Sequence, residues 1–304
     1  MSLATPNSQT SPSYVWDDVT DRFLADYPVH CAKRTNSIQQ RVMHAHRGFE
    51  FYLCTKGSGT LFCGNRMYPL HEGTLTVIPP HVVHRPYTDR NAAFHRYVLS
   101  VDVPYMESLD AVCASPGAGI TQLLAGPDGD GGHFYLNHAQ FDRATTLLAT
   151  LVEALAHDGP LKQWIQLSTL SELFVLIMGL HHAPQSTERD KSAEDSLLGD
   201  VLEYLVANYR ENIQIEDVTK RFPVSRSYLL RLFKEKTGDT IMRFVAEYRL
   251  NEARRLLAAG TLSVTEVASR VGFGDLSHFF GLFKKATGLT PKQYRDRASG
   301  RLSK

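Results

Sequence analysis

The sequence is poor in cysteine and net charge, and it has no long apolar run. Its four cysteines, Cys31, Cys54, Cys63 and Cys113, show no C-x-x-C spacing, which predicts free thiols. The longest apolar stretch, 167–180, is interrupted by polar residues and falls short of the ~20 residues that a bilayer requires. The N-terminus lacks a basic region followed by an apolar core, so no secretion signal is visible. These absences predict a cytoplasmic protein.

The net charge of +1 conceals an asymmetry along the 304-residue chain. From residue 195 onward, 19 Lys and Arg stand against 13 Asp and Glu, whereas the preceding residues hold 14 and 19. A basic C-terminal part is what phosphate binding requires. The length and the 43% hydrophobic content are enough for two cores.

The C-terminal third contains an internal repeat. The stretch SRSYLLRLFKEKTG at 225–238 returns 50 residues later as DLSHFFGLFKKATG at 275–288. Apolar residues recur at helical spacing in both copies, and a shorter helical pattern precedes each one, at 215–222 and 264–271. The repeat therefore predicts two helix-turn-helix units.

Local signals mark the ends of these helices. Ser225 and Asp275 are suited to cap the second helix of each unit, and Gly238 and Gly288 to end it in a left-handed conformation. Between the units, 240–259 has one apolar helical face and spans roughly 30 Å. Successive major grooves are about 34 Å apart, so this helix is long enough to hold the two units near neighbouring grooves.

These motifs resemble the DNA-binding domain of the AraC/XylS family of transcriptional regulators, from about 197 to 297. The similar segments are SxxYLxRLFK-x-x-TG, RLxEARRLL, VASRVGF and FK-x-x-TGLTPxxYR. The resemblance implies that base and phosphate contacts come from Arg226, Ser227, Leu230, Arg231 and Lys234 in the first unit, and from Leu276, Ser277, His278, Lys284 and Lys285 in the second.

The two sets predict different ways of reading DNA. Arg231 can grip guanine through two hydrogen bonds, whereas Leu230 can make only an apolar contact. Gly281 stands where the family usually places an Arg matching Arg231. We therefore expect the first unit to supply most base specificity, and the second to supply phosphate contacts and a thymine or shape preference.

The N-terminal half reads as short strands from about 38 to 100, typical of a small antiparallel barrel. Within it, His44-x-His46-x3-Glu50-x6-Gly57 and Gly73-x5-Pro79-x4-His84 resemble the two cupin motifs, with His81 in place of Gly and Thr88 in place of Asn. Alternate strand residues share a face, so His44 and His46 can point together into the barrel.

This cluster has two alternative interpretations. The resemblance to AraC-type regulators implies an effector pocket, for which we predict His44, His46, Glu50, Tyr52, His84 and Tyr97. Alternatively, His44, His46, Glu50 and His84 are ligands for Zn, Fe, Mn or Cu. We predict no metal and no cofactor, with these histidines as hydrogen-bonded or pocket residues.

Two amphipathic stretches, 137–157 and 161–182, follow the barrel, and a polar segment, 183–195, reads as a linker. The resemblance implies that part of the helical surface forms an antiparallel dimer contact. We leave 1–13 as a mobile arm.

The overall prediction is an α+β chain in three parts. Residues 1–182 form a cupin-like effector-binding and dimerisation domain, 183–195 a linker, and 196–298 a double helix-turn-helix domain. Its function would be ligand-responsive transcription regulation without catalytic residues. The partners would be double-stranded DNA, a small-molecule effector, a second copy of the chain and, for an activator, RNA polymerase. The alternative is a metal-dependent cupin enzyme or metal sensor fused to a DNA-binding domain.

Overall fold

The chain folds into a mixed half followed by an all-helical half, which confirms the α+β class. The computed structural model describes residues 18–36, 43–64, 66–88, 93–113, 119–126, 129, 131–182 and 193–298. The elements of the first half are α1 (Asp18–Asp26), β1 (Val29–Arg34), β2 (Phe49–Lys56), β3 (Ser58–Cys63), β4 (Arg66–His71), β5 (Thr74–Ile78), β6 (His84–Thr88), β7 (His95–Val101), α2 (Val103–Cys113), α3 (Ile120–Ala125), β8 (Gly132–Tyr135), α4 (His138–Ala156) and α5 (Lys162–His182). Those of the second half are α6 (Ala193–Ala207), α7 (Ile215–Arg221), α8 (Arg226–Thr237), α9 (Ile241–Ala259), α10 (Val264–Arg270), α11 (Leu276–Thr287) and α12 (Pro291–Ala298).

The strands form two antiparallel sheets. The larger sheet has the order β1-β7-β2-β5-β8, and the smaller has the order β4-β3-β6. Buried side chains from both sheets, such as Tyr52 and Leu61, meet in one interior cluster. Along β2 the side chains alternate, so that Phe51 faces away from this interior and Tyr52 faces into it.

Helices α4 and α5 cover the outer face of the larger sheet. Asn137 caps α4 through a reciprocal pair of bonds with Gln140. Phe174 of α5 packs on Phe51, with ring centroids 5.6 Å apart. By length and composition α5 is also the one described helix that meets the criterion for a membrane span. Its buried face belongs to the core of this half.

The helical half contains both predicted helix-turn-helix units, α7 with α8 and α10 with α11. Ser225 Oγ accepts a hydrogen bond from the Tyr228 N–H (3.2 Å), and Asp275 Oδ1 accepts one from the Ser277 N–H (2.8 Å). Gly238 and Gly288 end α8 and α11 at φ values of 73° and 74°. These capping predictions are confirmed. Between the units, α9 has 19 residues and is about 28 Å long.

Several elements escaped the sequence analysis. Strands β4 and β6 contain Pro69 and Pro86, which weaken a strand pattern but are tolerated because both strands lie at edges of the smaller sheet. Helix α3, between the barrel and α4, was not predicted either. The 1–13 arm lies outside the described residues.

The predicted linker is too long at its C-terminal end. Helix α6 begins at Ala193, and Glu194 accepts a hydrogen bond from the Tyr228 hydroxyl (3.3 Å) and lies 3.8 Å from Lys236 Nζ. Residues from Ala193 onward therefore pack with the helical half. The remaining linker positions, 183–192, lie outside the described residues.

The two halves share a hydrophobic core. Met43, Phe62 and Val83 from the barrel pack in one cluster with side chains of α6 and α9, including Phe244. The Phe62 and Phe244 rings meet edge to face, with centroids 5.0 Å apart. The smaller sheet therefore has one face in the barrel interior and the other against the helical half.

Candidate functional site

Four polar side chains converge in the barrel interior. His44 and His84 are joined by an isolated β-bridge, Glu50 lies on β2, and His46 lies in the loop before β2. His46 Nε2 is 3.2 Å from Glu50 Oε2, and His84 Nε2 is 3.7 Å from Glu50 Oε1. All four residues are buried. The cluster predicted from sequence is thus assembled in space.

Backbone carbonyls determine which ring nitrogens carry the hydrogens. His46 Nδ1 lies 3.0 Å from the Gly48 oxygen, and His84 Nδ1 lies 2.9 Å from the Val82 oxygen. A carbonyl can only accept, so both Nδ1 atoms donate and both neutral rings direct a lone pair on Nε2 toward Glu50. Two acceptors then face a carboxylate, an arrangement that needs a proton or a cation between them.

Burial favours the neutral form of His44 and His84. It lowers the pKa of His44 to about 3, with the neighbouring His46 adding to the effect, and it lowers the pKa of His84 well below its ordinary value. The potential ligand atoms of His44, His46, Glu50 and His84 all lie within 4.8 Å of one another. Neutral imidazoles with one carboxylate fit a divalent transition metal by donor type.

The two tyrosines predicted to line the pocket lie on opposite faces of the larger sheet. Tyr52 faces the interior, where its buried hydroxyl has no hydrogen-bond partner among the described residues. Tyr97 pairs with Leu53 in the register of β2 and β7 and belongs to the core beneath α4 and α5. Tyr97 therefore does not line the barrel interior, and its assignment to the pocket was wrong.

His81 keeps the backbone conformation of the glycine that the cupin motif has at its position. Its φ is +65°, in the left-handed region, where a non-glycine residue is strained. Its N–H donates to the His46 carbonyl (2.8 Å). Through this hydrogen bond, His81 joins the turn between β5 and β6 to the histidine cluster.

The outer face of the smaller sheet carries an ion pair into the helical half. Arg85 follows His84 on β6 and points to the opposite side of the sheet, where its guanidinium pairs with Asp239 at the start of the α9 segment. Both side chains are buried, at 7% and 6% exposure. Arg85 also lies over the Tyr87 ring, at 4.7 Å. Sequence reasoning missed this pair because its members are 154 residues apart.

A second polar contact lies beside the first. The Met43 N–H, next to His44, donates to Glu247 Oε2 on α9 (3.4 Å). Arg243 Nε lies 3.2 Å from the other carboxylate oxygen of Glu247 and 3.1 Å from Asp239. Burial is the largest of the causes that raise the pKa of Glu247 to about 7, the nearby Asp239 charge is the second, and Arg85, the Met43 N–H and Arg243 act in the opposite direction. Residues adjacent to His44 and His84 are thus bonded to α9.

The first recognition helix, α8, exposes most of its predicted DNA contacts. Arg226 pairs with Glu216 of α7 (2.6 Å), and Arg231 lies 3.9 Å from Glu235. Both arginines are more than half exposed. Ser227 and Lys234 are also exposed. Leu230 departs from the prediction, because it is half-buried against the shared core.

The second recognition helix, α11, exposes all its predicted contacts: Leu276, Ser277, His278, Lys284 and Lys285. A buried cation that sequence analysis missed holds the helix in place. Arg254 of α9, at 1% exposure, donates to Asn251 Oδ1 (2.7 Å) and to the Ala286 carbonyl at the end of α11 (3.5 Å). The sequence signal that could have revealed Arg254 is its charge at a position that the apolar spacing of α9 assigns to the core.

Comparisons with known proteins match both halves. A family model described as an AraC-like ligand-binding domain matches residues 27–195, which is more than half of the chain, and a model described as a helix-turn-helix domain matches 218–297.

Two curated relatives illustrate the similarity. The chain is 35% identical over 106 residues to the xylose operon regulatory protein of Escherichia coli K12, a match that covers 35% of this chain and 27% of that protein. The chain thus spans about a quarter of that relative. It is 28% identical over 253 residues to the HTH-type transcriptional activator RhaS of Salmonella paratyphi A, covering 83% of this chain and 86% of that protein.

Among solved structures, ToxT from Vibrio cholerae is similar over 88% of this chain and 97% of its own, with 12% sequence identity and a TM-score of 0.35. The C-terminal domain of AraT, a response regulator from Geobacillus stearothermophilus, is similar over 35% of this chain and 88% of its own. Its sequence identity is 29% and its TM-score is 0.33.

Proposed function

This chain belongs to the AraC family of transcriptional regulators, and we propose that it binds specific duplex DNA in response to a small effector held in its barrel. The observation that carries the DNA-binding part is the pair of capped helix-turn-helix units on either side of α9, each with cationic side chains exposed on its second helix. The two units would dock in successive major grooves.

The response to an effector is supported by the smaller sheet. His84 points into the barrel and the next residue, Arg85, is paired with Asp239 outside it. A ligand that moves β6 would therefore move a strand to which α9 is bonded. We infer that effector occupancy is communicated to the DNA-binding units through this sheet.

The proposed effector pocket combines apolar and polar groups. Besides the histidine cluster, the buried Tyr52 hydroxyl offers a hydrogen bond that the described chain does not use. An unsatisfied buried hydroxyl costs about 1 to 3 kcal/mol, and a polar ligand would recover part of this free energy. We therefore propose a small effector with hydrogen-bonding groups on an apolar body.

Replacing Arg231 by alanine is expected to relax specificity at one base position, because a bidentate arginine supplies about 1 to 3 kcal/mol of discrimination. Lys285→Ala should instead weaken binding to all sequences and reduce the salt dependence by about one phosphate contact. Fluorescence anisotropy on a duplex selected from a random library, and on random duplex, would measure both. Equal losses on the two duplexes for Arg231→Ala would contradict the role of Arg231.

A metal ion is a second candidate effector, favoured by the Nε2 lone pairs that face Glu50. It predicts about one Zn²⁺ or Co²⁺ per chain after incubation and desalting, by elemental analysis. The ion should be lost in His46→Ala but retained in His71→Ala, whose imidazole lies on β4 outside the cluster. If the effector is an organic molecule alone, neither the natural chain nor either variant should retain stoichiometric metal.

The remaining proposals concern assembly and location. Helix α5 exposes three large apolar side chains, Trp164, Leu167 and Val175, and Leu161 directly before it is also exposed. We propose that this face contacts a second copy of the chain, forming a homodimer on paired half-sites. The protein would act in the cytoplasm, and as an activator it would also contact RNA polymerase. We assign no reaction to it, and the matched relatives, named as regulators, give the enzyme alternative no support.

A further inference from the structure

The second recognition helix presents an apolar pair on its outside. Leu276 and Phe280 are each 40% exposed and lie one helical turn apart, so their side chains are neighbours on one face of α11. The other two phenylalanines of this helix, Phe279 and Phe283, are fully buried and already fill its core positions. The exposed pair therefore adds little to the core of the unit.

The first unit shows that the fold does not require a phenylalanine here. Phe280 corresponds in the repeat to Leu230, which is half-buried against the shared core. The same position is thus used for packing in α8 and is turned outward, with a larger side chain, in α11. An exposed aromatic at a position that the fold leaves free indicates a contact with another molecule.

The surroundings of the pair favour DNA as that molecule. Gly281, next to Phe280, has no heavy atom within 4 Å of where a Cβ would stand, so the helix backbone is open to close approach. Lys284 and Lys285 are exposed in the last turn of α11. Lysines beside an apolar pair complement the phosphates of a duplex better than an apolar protein surface.

We propose that Leu276 and Phe280 contact thymine C5-methyl groups in the major groove, so that α11 recognises thymine through methyl groups. In that groove the methyl is the apolar feature that marks thymine, and phenylalanine is among the side chains that contact it. Gly281 supplies the space for the approach, and the two lysines supply the phosphate contacts. This inference rests on the proposed DNA-binding function and adds Phe280, which was not among the DNA contacts predicted for the second unit, as a specificity-determining residue.

Deoxyuridine is the probe, because it differs from thymidine only in lacking this methyl group. A site would be selected from random duplexes with the full-length protein, and each thymine replaced singly by deoxyuridine. At one or two positions in the half read by α11, we expect affinity to fall about fourfold, the factor for burying one methyl-sized apolar group. In Phe280→Ala the loss should disappear at the position that Phe280 contacts, where the variant should bind thymine and uracil duplexes alike, whereas a position contacted by Leu276 should keep its loss.

Two further variants control the interpretation. Phe280→Leu keeps an apolar side chain and should retain most of the sensitivity. Met242→Ala removes an exposed apolar side chain from α9, which belongs to neither recognition helix, and should leave the sensitivity unchanged. A protein that selects no sequence would overturn the proposed function itself. A protein that selects a site, but whose response to deoxyuridine is absent or persists at every sensitive position in Phe280→Ala, would overturn only this inference.

Discussion

Replacing Arg85 by alanine is expected to undock the barrel from the helical half while both remain folded. Among the residues that the structure describes, the variant leaves Asp239 in the interface with Arg243, itself 39% exposed, as its remaining paired cation. Breaking a buried ion pair costs about 3 to 5 kcal/mol when the remaining charge stays buried. If the two halves separate, Asp239 is exposed to water. The stability lost in Arg85→Ala therefore cannot exceed the free energy with which the two halves dock. Hydrogen exchange should therefore accelerate in β6 and the first turns of α9.

Two comparisons make this result specific. Arg143→Ala removes a cation paired with Glu172 across α4 and α5, about half exposed, and should cost no more than about 1 kcal/mol. The double variant Arg85→Met with Asp239→Leu replaces the pair by apolar side chains and should restore most of the docking. Unchanged exchange in Arg85→Ala would show that the shared apolar core alone holds the halves together.

The second large effect concerns the pH dependence of stability. The folded-state pKa of Glu247 is about 7, against 4.5 for an ordinary glutamate. Between these values the folded chain binds the proton that the unfolded chain has released. The contribution of Glu247 to the free energy of unfolding therefore falls as pH rises from about 4.5 to about 7, by about 3 kcal/mol in total.

Glu247→Gln removes this titration. The free energy of unfolding of the variant, relative to the natural chain, should therefore rise by about 2.5 kcal/mol between pH 5 and pH 8, whatever constant offset the lost Arg243 contact adds. Urea unfolding followed by circular dichroism at both pH values measures the difference. Glu252→Gln, which removes a carboxylate paired with Arg255 on the same helix, is the matched control. Parallel profiles for Glu247→Gln and the natural chain would mean that Glu247 is ionised throughout this range.

The helical half was largely predictable because its determinants are local. Ser225 and Asp275 bond to N–H groups within three residues, and Gly238 and Gly288 adopt the left-handed conformation directly after their helices. Such signals lie within one or two turns of each other in the sequence. The repeat reinforced them by presenting the same pattern twice.

The residues of the histidine cluster could be predicted from the sequence, but the contacts around that cluster could not. Alternation along β2 places Glu50 and Tyr52 on one face, whereas the facing of Tyr97 depends on its register with Leu53 in another strand. The contacts of Arg85 with Asp239 and of Met43 with Glu247 join residues more than 150 positions apart. No local pattern encodes such pairs, so the connection between the halves emerged only from the structure.

The two-sided character of β6 restricts how inducer preference can be redesigned. In the proposed response to an effector, substitutions at inward-facing positions of this strand would alter the basal output together with the choice of inducer, because Arg85 on the same strand is paired with Asp239 directly before α9. Positions on β2 lie in the larger sheet, whose outer face packs against α4 and α5, and no described residue of β2 is paired with α9. A biosensor library built from this scaffold should therefore diversify Tyr52 and its β2 neighbours first and keep His84 and Arg85 fixed.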